Sequence, residues 1–398
     1  MQNVINKERP APGHVKINLG PSHPATHGVM HNILELDGER VVKSEQIIGY
    51  VHRSFEKLAE KYTYNQFLTC TDRMNYVSSP MNNIAWLCAV EKALGIEIPE
   101  RAKYLRIIIN EMSRVSDHFV FLGVMGVDVG ALTGFTWVYR EREKFMQVLE
   151  KFVGARLTTS FGRIGGLQCD AYDGFIADIK ALIRSHRKTQ KEFETLLAKN
   201  RIFMERTIGV APIDRDRAVE YGYTGPNLRA CGVDYDIRKA KPYLGYERFS
   251  FDIPVGVNGD AYDRFLMRCA EIWESLRIVE QAINDLPVGP VMTTEHKVGL
   301  PPKADVYTDM GSLIDHFKIM TEGVVLPVGE YWSSYEIANG EMGFYIVSTG
   351  EKFPWRVAVR RPCFWYYQSF SELIKGRLLS DVVVAMSSLN VIVGELDG

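Results

Sequence analysis

Residues 100–122 read ERAKYLRIIINEMSRVSDHFVFL. Leu105, Ile108, Met112, Val115, Phe119 and Leu122 recur at steps of three and four, which is one face of an amphipathic helix. Pro99 stands at its start, where the missing N–H costs nothing. Outward from this helix the same period continues. Residues 81–94 predict a helix stopped by Gly95. Residues 135–154 predict another, with Arg140, Glu141, Arg142 and Glu143 crowded into one turn, 173–206 a long charged helix, and 260–285 one more. Toward both ends the period changes to that of strands. HVKINLG (14–20) and ILELDGERVV (33–42) flank a loop, and Asp37-Gly38 signals a hairpin. GFYIVSTGEKFPWRVAVR (343–360) predicts a second hairpin turning at Thr349-Gly350. Residues 207–258, rich in Gly, Pro, Tyr and Asp, hold no sustained period. A loop of that length is usually functional or buried against something else. The expected fold is α+β: a central helix bundle with small antiparallel sheets near the N- and C-termini. The expected parts are 1–79 (β region with the histidine-rich loop), 80–290 (helix bundle) and 291–398 (α+β region packed on the bundle), forming one integrated unit.

Composition limits the function. Among 398 residues, 47 Lys and Arg nearly balance 49 Asp and Glu, so nothing favours nucleic acid as a partner. No apolar run approaches the roughly 18 residues of a membrane span, and MQNVINKERPAPG lacks the apolar core of a signal peptide. The expected chain is soluble by itself and reaches a membrane only through a partner. Cys70, Cys88, Cys169, Cys231, Cys269 and Cys363 form no CxxC, zinc or iron–sulfur spacing, so reduced, mostly buried thiols are expected. Nucleotide-cradling glycine motifs, GxSxG and HExxH are missing too.

Four places could carry chemistry. In Gly20-Pro-Ser-His-Pro-Ala-Thr-His-Gly28, Pro21, Pro24 and Gly28 disfavour a helix, so His23 and His27 belong to a rigid loop. Such a loop either holds imidazoles against a ligand or binds its histidines to its own backbone. Tyr76, just before a helix, offers a hydroxyl donor, one among 19 tyrosines. Asp128 interrupts an apolar run and must be paired, protonated, or capping the next helix. Arg53 is either an electrostatic neighbour of a partner's redox centre or an ordinary ion pair with Glu56.

GPSHPATHG (20–28), IGYVHRSFEK (48–57), DRMNYVSSPMNN (72–83), FGRIGGL (161–167), GPNLRACGVDYDIRK (225–239), GDAYDRF (259–265), YEIANGEMGFYIVSTG (335–350) and VGELDG (393–398) occur in the order they take in one family. In these motifs the chain resembles the D subunit of NADH:quinone oxidoreductase, the hydrogenase-like 49-kDa component of respiratory complex I. The resemblance implies the fold of a nickel–iron hydrogenase large subunit. The two CxxC pairs of those enzymes align near Asn75 and Ser78 and near Ile392 and Glu395. None of these is cysteine, which excludes a thiolate-bound nickel by ligand type and implies no metal in this chain. What the resemblance puts there is a quinone headgroup, ubiquinone or menaquinone, approached by His27 and Tyr76. Asp128 becomes the partner of His27, His23 a neighbour shaping the loop, and Arg53 a residue near the terminal [4Fe–4S] cluster of a partner. The implied partners are the small iron–sulfur (B) component, the C and I components, and the membrane-embedded H component of the complex. The implied location is peripheral, on the cytoplasmic side of the bacterial inner membrane. The implied enzyme is a proton-pumping translocase, with the isolated chain inactive. The alternative is a structural or assembly component of a hydrogenase-related complex without quinone chemistry.

Overall fold

A computed structural model describes residues 11–295 and 298–398; the N-terminal stretch 1–10 discussed above lies outside them. Strands β1 (His14–Leu19), β2 (His31–Asp37) and β3 (Arg40–Ile47) form an antiparallel sheet in the order β1-β2-β3. Asp37 faces Arg40, so Gly38 and Glu39 make a two-residue turn in which Gly38 takes φ 58°, as the predicted hairpin requires. Leu34, Leu36 and Val41 point from this sheet into the core.

The helices are α1 (Ser79–Leu94), α2 (Glu100–Asp128), α3 (Leu132–Val153), α4 (Phe175–Phe193), α5 (Ala261–Asn284), α6 (Leu379–Leu389) and the short α7 (Val393–Asp397). Gly95 ends α1 at φ 68°, its N–H reaching the carbonyls of Glu91 and Lys92, which is the left-handed stop glycine allows. Helix α2 is the axis of the molecule, with α1, α3, α5 and α6 packed on it. All six residues of its predicted stripe are fully buried. So are Arg106, Glu111, Arg114 and His118 on its other faces, because this helix is enclosed rather than lying at a surface. Among the described residues no helix is long and apolar enough to cross a membrane.

Two expectations are corrected. The long helix over 173–206 breaks: α4 runs into a π-helical turn at Glu194–Ala198, and a separate helix spans Arg201–Thr207. Asn200 starts it, its side-chain oxygen accepting the N–H groups of Ile202 (2.9 Å) and Phe203 (3.3 Å); an N-cap outcompetes helix continuation there. At the C-terminal end, β4 (Gly329–Ile337), β5 (Gly340–Ser348) and β6 (Arg356–Arg360) form a sheet ordered β6-β5-β4. Thr349-Gly350 only opens the longer β5–β6 connection. The tight turn joins β4 to β5, where Ile337 faces Gly340 and Ala338 and Asn339 make the turn.

The aperiodic segment 207–258 is held by charge pairs as well as by apolar side chains. Its Arg229 meets Glu271 of α5 at 2.5 Å and Glu336 of β4 at 2.9 Å, and its Arg238 meets Glu111 of α2 at 3.1 Å. These arginines add to the anchoring that Val210, Ile213, Leu228, Tyr246, Phe249 and Phe251 of the same segment supply by entering the core. Removing one partner of such a pair strands a charge and costs about 3–5 kcal/mol.

Candidate functional site

The histidine-rich loop between β1 and β2 folds on itself. Ser22–His23 pairs with Gly28–Val29, closing over a 3-10 turn at Pro24–Thr26. The Thr26 hydroxyl lies 2.7 Å from the His23 carbonyl and 2.8 Å from that of Gly28. His23 Nδ1 accepts the Ala25 N–H at 3.2 Å, so this exposed histidine shapes the loop and does not reach the cavity described below. His27 takes φ 52°, uncommon for a residue with a side chain. The conformation directs its ring to the end of α2. There Nε2 lies 2.9 Å from one Asp128 oxygen and 3.2 Å from the other. Asp128 is the last residue of α2, so the ring sits at the C-terminal end of the helix axis. Gly28 cannot carry a side chain: a Cβ would lie 2.4 Å from Val393 Cγ2, so the loop is pressed onto α7.

Tyr76 stands in the turn before α1. Asn75 Oδ1 accepts the N–H groups of Val77 (3.2 Å) and Ser78 (3.3 Å), and Asn82 donates to the Asn75 carbonyl at 2.8 Å. Asp72 accepts from Asn83 at 2.6 Å and from the Ser160 hydroxyl. Solvent reaches 40% of Tyr76, yet the protein crowding its hydroxyl raises the phenol above its ordinary range, with Cys363 and Asp117 adding to the effect.

His27 and Tyr76 share the wall of a cavity of about 440 Å³. Helix α2 contributes Val120, Phe121 and Val124, α3 contributes Tyr139 and Arg142, and the chain after α6 contributes Asn390, Val391 and Ile392. Apolar walls with a few convergent polar groups suit an organic ligand. A depression of about 700 Å³ beside residues 315–328 is larger, but it gathers none of the candidate residues. Behind this wall Asn390 donates to Asp117 Oδ1 (3.1 Å) and Asn339 Oδ1 (2.7 Å).

The segments aligned with the hydrogenase cysteine pairs meet: a Cβ on Gly394 would lie 2.7 Å from the carbonyls of Arg73 and Met74. Glu395 is buried, accepts the Cys363 N–H at 2.8 Å, and is pushed up to about 7 by burial. Arg53 lies elsewhere. It is exposed, and its backbone N–H donates to the Gly398 carbonyl at 3.3 Å. Glu56 instead binds Arg356 at 2.9 Å and the Val359 N–H at 3.0 Å. Sequence reading overlooked Arg142, Tyr139 and Asn390. The crowded charges at 140–143 were visible, but not which of them turns toward α2.

The sequence pattern of the family described as respiratory-chain NADH dehydrogenase, 49 Kd subunit, matches residues 128–398. The NADH-quinone oxidoreductase D subunit of Leptospira biflexa is 55% identical over 385 residues, 97% of this chain and 95% of its own length. A D subunit of the same enzyme from Cytophaga hutchinsonii is 51% identical, covering 96% and 98%. The C/D subunit of Bdellovibrio bacteriovorus is 46% identical across 99% of this chain and 71% of its own. On this similarity, nearly end to end, the chain belongs to the family of the 49-kDa subunit of respiratory-chain NADH dehydrogenase.

Proposed function

We propose that this chain forms, with a small iron–sulfur partner, the site where NADH-quinone oxidoreductase binds and reduces quinone. The observation that carries the reading is convergence: His27 and Tyr76, from separate segments, line one apolar cavity, and Asp128 holds His27 from behind. A quinone that accepts two electrons also takes up two protons to become the quinol. The electrons come from the [4Fe–4S] cluster of the partner. The protons come from the Tyr76 hydroxyl and the His27 imidazole, and Asp128 orients the ring. A phenol raised by burial keeps its proton until reduction makes the quinone oxygens strongly basic. Loss of protons from this pair then starts the conformational change that drives pumping elsewhere in the complex.

The remaining assignments belong to the same proposal. Exposed Arg53 faces the small cluster-bearing component. The Bdellovibrio relative named C/D supports the C component as a neighbour. The I component and the membrane-embedded H component complete the surroundings, this chain lies peripherally on the cytoplasmic side of the inner membrane, and in isolation it is inactive. The test is Tyr76→Phe in assembled complex. Quinone-dependent NADH oxidation should fall by about 10²- to 10⁴-fold, the usual contribution of a positioned proton donor, while NADH oxidation by an artificial acceptor stays normal. Unchanged quinone turnover would overturn the reading and favour an assembly role.

A further inference from the structure

We propose that Arg142 is the anion-binding group of this cavity: its guanidinium holds the ligand oxygen that becomes negatively charged when electrons arrive. This deepens the quinone reading and rests on it. Arg142 lies one turn after Tyr139 on α3, and its guanidinium carbon stands 5.8 Å from the Tyr139 ring centre. It is the only permanently charged side chain among the described residues of the cavity wall.

Half-buried itself, it differs in bonding from the fully buried arginines. Arg106 lies on Glu91, Arg114 on Glu111, Arg229 on Glu271 and Arg238 on Asp236, each within 3.2 Å. Arg264 gives its N–H groups to the Ser388 hydroxyl and the carbonyls of Ala211 and Gly259. Arg268 donates to the Arg264 carbonyl (3.2 Å) and to Asn227 Oδ1 (3.1 Å). A buried Nε without a partner is shared by Arg106, Arg264 and Arg268, but each of those guanidiniums is held by its other N–H groups, whereas Arg142 makes no side-chain hydrogen bond or ion pair among the described residues. The adjacent acids are engaged elsewhere: Glu141 with Lys144 (2.8 Å) and Ser185 (2.5 Å), Glu143 with Arg156 (2.5 Å). Asp117 adds negative charge nearby; its Oδ1 holds Asn390 and its buried Oδ2 has no hydrogen-bond partner among the described residues, so it stays short of an ion pair with Arg142. Burial accordingly lowers Arg142 from its ordinary range.

A half-buried guanidinium without a carboxylate is costly unless something enters to satisfy it. The wall around it holds valine, isoleucine, aromatic rings and the neutral polar groups of Thr158, Ser387 and Asn390, but no carboxylate, so the counter-charge must come with the ligand. Arginine keeps its proton at any ordinary pH. It therefore holds the negative charge without neutralising it, and leaves protonation to His27 and Tyr76.

The test uses two competitive inhibitors of one shape and different charge. These are a hydroxynaphthoquinone, ionised at neutral pH, and its neutral methoxy ether, assayed on assembled complex in membranes. Arg142→Gln should weaken inhibition by the ionised compound about 10- to 100-fold, the loss of one charge-assisted contact. Inhibition by the ether should change by less than about 3-fold. Arg142→Lys, which keeps the charge, should retain most of the preference for the anion, and stands in as the deciding variant if the glutamine variant fails to assemble. Equal weakening of both compounds, no weakening of either, or loss of the preference in Arg142→Lys would overturn the proposal. Tyr76→Phe run alongside separates the two readings: normal quinone turnover in that variant discards the quinone site itself, whereas lost turnover with unchanged inhibitor selectivity in Arg142→Gln discards only the role of Arg142.

Discussion

Glu91→Gln offers the sharpest test of what holds the cavity wall in place. Arg106 of α2 is fully buried and meets both oxygens of Glu91 on α1 at 2.7 Å. The same guanidinium donates to the carbonyls of Arg163 (2.9 Å) and Gly166 (2.8 Å), and Glu91 accepts the Gly165 N–H at 2.8 Å. The pair thus clamps two central helices to the hairpin Gly162–Leu167, the end of a loop whose Leu157 and Thr158 line the cavity. Glutamine keeps the shape and one acceptor oxygen but removes the charge. Burial disfavours the charged form of Arg106; the Glu91 carboxylate more than offsets this. Stranding a buried charge costs about 3–5 kcal/mol, and the retained acceptor puts the expected loss near the lower bound, about 3 kcal/mol. That is a large share of an ordinary folding stability of about 5–15 kcal/mol. Urea unfolding of parent, Glu91→Gln, Arg106→Met and the double variant gives the coupling. The double variant should be more stable than the summed single losses imply by at least about 2 kcal/mol. A coupling below about 0.5 kcal/mol would show that the two groups do not depend on each other, and the clamp would have to be abandoned.

Two further expectations follow from buried groups. Folding lifts the Glu395 carboxyl from 4.5 to about 7, so the folded state keeps a proton that the unfolded chain gives up. Its contribution to stability therefore falls as pH rises from about 4.5 to about 7 and stays low above that. Glu395→Gln removes this dependence, so its stability relative to the parent should rise by up to about 3 kcal/mol between about pH 5 and pH 8; a constant difference across that range in urea unfolding would count against it. Burial also pushes Cys88 up to about 12 and Cys231 up to about 11, while Cys169 is partly exposed. A thiol reagent at neutral pH should label Cys169 first and all six only after denaturation; rapid labelling of Cys88 in the folded chain would contradict the packing described.

Most helices and the N-terminal hairpin turn were legible because their signals are local. The stripe from Leu105 to Leu122, the stop at Gly95 and the turn at Gly38 each follow from a few consecutive residues and the backbone they permit. The break at Asn200 was harder to see, since a capping side chain competes with a period that continues on both sides. The enclosure of α2 was illegible: its charged residues look like a solvated face until their partners, 15 to 223 residues away, are brought beside them. The motifs named the family and nominated His27, Tyr76 and Asp128. Their order in the chain says nothing of the 2.9 Å that separates His27 from a residue 101 positions on, nor that Arg142, alone among four neighbouring charges, faces the same cavity. Periodicity fixes which side of an element is apolar, because that depends on neighbours a few residues apart. Which polar groups finally meet depends on how helices far apart in the chain pack, and only the tertiary structure decides that.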